Sequence, residues 1–268
     1  MSMKGAALVV LPRETFAGSA TVVAPTLLGC VLEHQTPEGL VAVALTEVEA
    51  YHGAADPASH AYRGQTARNA VMFGPPGHAY VYFTYGMHFC VNLVCMPPGT
   101  ASAVLLRAGR VVQGVELATA RRTRGRRVVQ RNGETAGSRA GSGTAVRIAS
   151  RDLARGPARL CQALGIDRAL DGADVCDPGS PLRVRWPDQP GNGAGLAGAG
   201  PGRTVVADPV VADADVAAWP NGTRPGISQG PRVGISAAAE RPWRFWLTGD
   251  PTVSVYRPYV PRRRAPSG

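Results

Sequence analysis

Apolar and β-branched residues concentrate first in Leu40–Glu49 (LVAVALTEVE), directly after the turn-like Thr36-Pro37-Glu38-Gly39. That pattern predicts a strand with two carboxylates at its far end. Just upstream, Leu27–Leu32 reads as the end of a helix or the start of a strand, with Gly29 leaving both open. His52–Pro76 is polar and scattered with Gly, Pro, Asp and Asn, as a loop is. Two strands follow, Ala79–Thr84 and His88–Met96, joined through Tyr85-Gly86-Met87 in a tight hairpin whose tip presents Tyr85. Ala101–Arg107 is a further short strand, and Val111–Arg122 fits a helix. Pro157–Leu164 is a second helix, with Pro157 in its first turn and Gly165 placed to stop it. Arg232–Ser236, Trp243–Thr248 and Thr252–Tyr256 read as closing strands.

Three stretches lack such a pattern: a flexible N-terminus over residues 1–20, a basic flexible insertion over 125–150, and a mobile Gly/Pro-rich loop over 187–202. The remaining alternation of short strands and few helices predicts one α+β domain spanning 1–268. Its expected form is a mostly antiparallel curved β-sheet with flanking helices and a protruding β-hairpin.

Composition narrows the partner. With 268 residues and 44% hydrophobic content the chain can bury a core. No stretch approaches the roughly 20 apolar residues of a membrane span, and no signal peptide is evident, so a soluble, cytoplasmic protein is expected. Five cysteines without C-x-x-C spacing suit buried thiols better than a zinc or iron–sulfur site. The net charge is +10, and Arg107–Arg159 holds 13 arginines against three acids, a local surplus equal to that of the whole chain. Such a surplus attracts phosphate, which favours nucleic acid over a membrane surface.

Three features carry candidate chemistry. Glu47 and Glu49, two apart on a strand, share a face, so each discourages ionisation of the other. The pair could do acid–base work or bind a metal, and an exposed pair on a solvated face reads equally well. In Ala79–Tyr85 (AYVYFTY), Tyr80 and Tyr82 share a face suited to stacking on a base, although β-core packing explains either alone. An aromatic such as Tyr85 on a narrow protrusion can wedge into a base stack. Finally, Asn92 and Arg107 are polar groups inside apolar strands and need partners there.

Together these residues resemble the alkyladenine (3-methyladenine) DNA glycosylase family, the type found in mammals and many bacteria. The matching stretches are TEVEAY (Thr46–Tyr51), the downstream His60, GQTARN (Gly64–Asn69), MFGPPGHAYVYFTYGMHFCVN (Met72–Asn92), LLRA (Leu105–Ala108), GPARLCQALGI (Gly156–Ile166) and PRVGIS (Pro231–Ser236). The similarity runs from about Val23 to Val255, interrupted at Gly125–Ser150 and after Pro187. It implies a DNA-repair enzyme acting as a monomer, without metal or cofactor, on double-stranded DNA that contains damaged purines. By the same resemblance, Glu49 rather than Glu47 activates the attacking water, with Arg107 holding that water or a phosphate nearby. Tyr51 and His60 would lie on one side of a flipped base and Tyr82 on the other. Asn92 would crowd the exocyclic amine of guanine, Tyr85 would fill the gap left in the duplex with Met87 beside it at the hairpin tip, and Arg68 would contact the DNA backbone. Three departures bear on lesion preference: Gln65 comes one residue earlier than in the mammalian pattern, His88 replaces an aromatic, and the basic insertion has no counterpart.

The residues also weigh against neighbouring chemistries. A two-metal nuclease would need a further acidic cluster. A sugar-cleaving pair would need carboxylates set across a cleft, which adjacent same-face strand positions supply poorly. A non-catalytic damage-binding protein would use the same basic surface and aromatics and remains the alternative. Lys4 is the only lysine, so strand nicking through a Schiff base is not expected, and the implied enzyme is monofunctional.

Overall fold

The computed structural model describes residues 9–84, 86–124, 147–187 and 226–261. Its strands are β1 (Val31–Thr36), β2 (Gly39–Tyr51), β3 (Ala79–Thr84), β4 (His88–Val94), β5 (Ala103–Gln113), β6 (Ala154–Arg155), β7 (Leu182–Arg185), β8 (Ile227–Gly230) and β9 (Arg244–Leu247). Three helices accompany them, α1 (Ala20–Thr26), α2 (Val115–Thr123) and α3 (Pro157–Leu164). The strands form one sheet in the order β3-β4-β5-β2-β1-β7, with β6 on β5 and the β8–β9 pair joined to β2 through β9. Every pairing is antiparallel, which makes this the expected α+β domain.

The long central strand explains its own sequence. Strand β2 pairs with β5 along one edge, and with β1 and then β9 along the other. With both edges and both faces covered, Val41–Val43 and Leu45–Ala50 are all buried, hence the nearly unbroken apolar run. On one face α1 and α3 close the core over Leu27, Leu32, Leu45, Leu106, Leu160 and Leu164, all fully buried. Each such side chain contributes about 1.5–3 kcal/mol by leaving water. A smaller cluster of Met72, Tyr80, Val94 and Ala103 packs beneath the loop that follows β2.

The structure corrects several sequence expectations. Val111–Gln113 continues β5, paired with Ala42 and Val43, and α2 begins only after Gly114, whose φ of 73° ends the strand. Arg232–Ser236 and Thr252–Tyr256 are not strands, because they direct backbone N–H groups to side chains instead of a ladder. Val233 N–H donates to Glu49 and Ser254 N–H to Glu47. The N-terminal stretch is packed from residue 9 onward, with Leu11 and Phe16 fully buried and α1 starting at Ala20. Residues 1–8, most of the basic insertion (125–146) and the Gly/Pro-rich loop from 188 lie outside the described residues. Among the described residues no helix is long and apolar enough to cross a membrane.

Candidate active site

The sheet builds the site with two opposed bulges. Between Leu45↔Gly109 and Glu47↔Ala108, β2 carries one extra residue, Thr46. Between Glu47↔Ala108 and Val48↔Leu106, β5 carries one extra residue, Arg107. The two insertions restore the register, and a bulged residue can aim its side chain away from the regular alternation. Arg107 thus reaches across to β2 and meets both acids: its Nε is 2.8 Å from Glu47 and its Nη1 3.2 Å from Glu49. Close strand approach at this point needs glycine at 109, where a Cβ would fall 2.4 Å from the Ala44 carbonyl oxygen.

Glu47 and Glu49 do share a face, but the solvated-pair reading fails: both side chains are 0% exposed. Nor are they left to repel each other. Glu49 Oε2 accepts from the Tyr51 hydroxyl (2.9 Å) and faces Arg107, while its Oε1 accepts from Val233 N–H (2.7 Å). Burial works against the Arg107 charge, yet Glu49 and Glu47 overcome it and raise its pKa further. Burial and the Glu49 charge together push the Tyr51 hydroxyl well up, so it stays a donor.

In front of this cluster lies a cavity of about 420 Å³, lined by Tyr51, His60, Tyr80, Tyr82, Asn92 and Arg107 among others. It is closed on one side by Pro157 and Ala158 at the start of α3, and on another by Val233–Ile235. Asn92 donates to the Tyr80 carbonyl (3.3 Å) from the facing strand. Tyr80 and Tyr82 stack with centroids 5.5 Å apart, as their shared face predicts. His60 stands at the mouth, its Nδ1 3.2 Å from the Tyr80 hydroxyl. Burial of the His60 ring beside these aromatics, with repulsion from Arg68, lowers its pKa below 6.5 and so favours the neutral ring.

Five of the sequence-assigned residues therefore line one cavity: Tyr51, His60, Tyr82, Asn92 and Arg107. Glu49 sits directly behind Tyr51 and Arg107. His60 and Tyr82, assigned to opposite faces of a base, touch edge to face at 4.5 Å, so a base enters between them only if one ring moves. Arg68 lies outside the cavity, its Nη2 donating to the Phe83 carbonyl on β3 (3.3 Å). Met87 is 68% exposed at the hairpin tip beside the half-exposed Phe83. Tyr85 lies outside the described residues.

Sequence reasoning gave no role to Arg232, although it quoted the segment that holds it. Arg232 is buried, forms a two-pronged ion pair with buried Asp56 and lies 4.6 Å from the Tyr51 ring centroid. Arg244 and Ser254, both bonded to Glu47, were also missed. No local signal marks them, since their partners lie far away in the chain.

This geometry can be set beside known proteins. Residues 14–199 match the family model described as methylpurine-DNA glycosylase. A protein of Streptomyces avermitilis named "Putative 3-methyladenine DNA glycosylase" is 48% identical over 256 residues, covering 95% of each chain. Proteins of the same name from Leifsonia xyli (43% over 249 residues; 91% of this chain, 92% of the other) and Mycobacterium tuberculosis (40% over 249 residues; 91% and 93%) are also similar along nearly their whole length. With a family match over more than half its residues and relatives that span it almost end to end, the chain belongs to the methylpurine-DNA glycosylase family.

Proposed function

We propose that this protein is a monofunctional DNA glycosylase that hydrolyses the N-glycosidic bond of alkylated or deaminated purines in duplex DNA. The observation that carries the reading is a buried carboxylate, Glu49, set directly behind Tyr51 and Arg107 in the wall of an aromatic cavity. The chemistry needs both parts. A target base must leave the stack at a cost of a few kcal/mol, least for damaged bases. Stacking on Tyr51 and Tyr82, about 1–3 kcal/mol per base, offsets part of that cost. Bond cleavage then develops positive charge on the sugar, and a fixed anion beside it is more valuable than in water. Glu49 supplies the anion and accepts a proton from the attacking water, Arg107 and Tyr51 hold the carboxylate in place, and Asn92 narrows the base site. The exposed hairpin tip at Met87 meets the duplex, with Arg68 close to that tip through its bond to the Phe83 carbonyl.

The names of the relatives point to 3-methyladenine as one substrate. Glu49 lies behind the cavity lining, which keeps the alternative of damage binding without catalysis open to test. Duplexes carrying 3-methyladenine, 7-methylguanine, hypoxanthine or ethenoadenine should release free base and keep an intact strand until heat or alkali is applied. No release from any of them, or strand scission with a borohydride-trapped protein–DNA adduct, would overturn this reading.

A further inference from the structure

Glu47 is the acid of TEVEAY that the proposed reaction leaves unused, yet its carboxylate is heavily bonded. Oε1 accepts from Arg107 Nε, Arg244 Nε and Ser254 Oγ, each at 2.8 Å, and Oε2 accepts from Ser254 N–H at 2.7 Å. Burial alone would push this carboxyl toward protonation, but Arg107, Arg244 and the two Ser254 bonds prevail and hold its pKa below 4.5. Neither acid lines the cavity itself, but all three partners of Glu49 (Tyr51, Arg107 and Val233) do, whereas Arg244 and Ser254 do not, so Glu47 sits one layer further back as a counter-ion.

Arg107 faces two anions, and without help it would be divided between them. Arg244 prevents that. Its backbone is the register partner of Glu49, but its guanidinium turns to Glu47 and to the Ser254 carbonyl (2.8 Å), resting on the Trp246 ring at 4.6 Å. Two acids thus meet two cations, and Arg107 keeps Nη1 free for Glu49 while its Nη2 touches Ser254 Oγ at 3.5 Å.

We propose that Glu47, Arg244 and Ser254 are a positioning unit: they fix the far edge of Arg107 so that its Nη1 faces Glu49, and they set the charge against which Glu49 works. The inference rests on the reading of Glu49 as the base. It makes the irregular stretch around Ser254 part of the reaction machinery. The other groups facing Glu49 are the Tyr51 hydroxyl, Val233 N–H, and, at longer range, Tyr82 on β3 and Cys90 on β4. Burial raises the pKa of both Tyr82 and Cys90, so neither adds charge at neutral pH.

The test is the pH profile of single-turnover base release at saturating full-length enzyme, with duplex affinity measured beside it. In Arg244→Gln, Glu47 claims more of Arg107, and the acid limb should move up by about one pH unit. In Glu47→Gln, Arg107 is released to Glu49, and the limb should move down by a similar amount. Ser254→Ala, a change in a half-buried loop residue that does not threaten the fold, should move the limb upward by less and lower the plateau several-fold. Affinity for the damaged duplex should stay within about twofold in all three. A merely structural role would lower melting temperatures without moving the limbs in opposite directions. Limbs that stay in place or shift together, or a Ser254→Ala profile that overlays wild type, would overturn the unit while wild-type release upholds the activity. Wild-type enzyme that releases no base would overturn both.

Discussion

Neutralising Asp56 should unsettle the cavity from behind. Arg232 Nη1 and Nη2 reach the two Asp56 oxygens at 2.5 and 2.8 Å, and both side chains are 0% exposed. The same guanidinium donates to the Ala50 carbonyl (3.0 Å) and lies 4.6 and 5.1 Å from the ring centroids of Tyr51 and Trp243. Removing one partner of a buried ion pair costs about 3–5 kcal/mol, because the other charge stays buried without compensation. Asp56→Asn keeps one acceptor for Arg232, which places it near about 3 kcal/mol. At about 2–4 °C per kcal/mol for a chain of this size, its melting temperature should fall by roughly 6–12 °C. Arg232→Met strands the carboxylate, which then keeps the weaker donors His52 N–H (3.3 Å) and Ala58 N–H (3.2 Å), and should cost as much or more. The double variant removes both charges and should regain most of the loss, short of the ring contacts at about 0.5–2 kcal/mol each. Urea unfolding of the four proteins gives the coupling energy directly. Additive losses, or single variants within about 1 kcal/mol of wild type, would refute the reasoning. Acid supplies a second check. Burial favours the protonated form of Asp56, but Arg232 outweighs it and leaves the folded pKa below 3.8. The pair's contribution is therefore complete above about pH 3.8 and is lost as pH falls further, and the double variant should lack this portion of the acid loss.

Other consequences follow from the same structure. His34 is buried and donates through Nδ1 to the Leu164 carbonyl (2.9 Å), and burial lowers its pKa despite that bond. Stability should therefore drop as pH falls through 6.5, where the unfolded imidazole takes up a proton first; His34→Gln should flatten that slope in pH-dependent melts. Gly109→Ala should cost about 1–3 kcal/mol in urea unfolding and lower base release as well, since the strands it forces apart carry Glu49 and Arg107. Asn92→Ser should raise release of guanine-type bases relative to adenine-type ones by about tenfold, the size of a single pocket contact, as read in competition assays.

Much of this was legible in the sequence because it is local. The β2 run, the β3–β4 hairpin and α3 announce themselves through period, turn residues and the Pro157/Gly165 punctuation. Tyr51, His60, Tyr82, Asn92 and Arg107 sit in matching motifs, and the fold brings all five to one cavity. What stayed hidden depends on distant partners. The Thr46 and Arg107 bulges exist only as a mismatch between two strands, so neither strand alone reveals them. Arg232 and Asp56 are 176 positions apart, and Ser254 and Glu47 are 207 apart. The segments around Val233 and Ser254 look like strands in composition, yet spend their donors on two buried carboxylates. The choice between Glu47 and Glu49 came from motif likeness; the structure encloses Glu47 with Arg107, Arg244 and Ser254 and sets Glu49 behind Tyr51 and Arg107 of the cavity lining.

The central claim is that Glu49 performs the hydrolysis, and Glu49→Gln tests it most directly because the amide keeps the side chain's shape: its oxygen can still accept from Val233 N–H while its NH2 donates to the Tyr51 hydroxyl oxygen. With enzyme in excess over a duplex bearing a lesion that wild type processes, the single-turnover rate of base release should fall about 10²–10⁴-fold. Affinity for the same duplex should change little, and the melting temperature should fall by less than for Asp56→Asn, because Arg107 keeps Glu47 as a partner. Base release within a few-fold of wild type, by a variant shown to be folded and bound, would contradict the account.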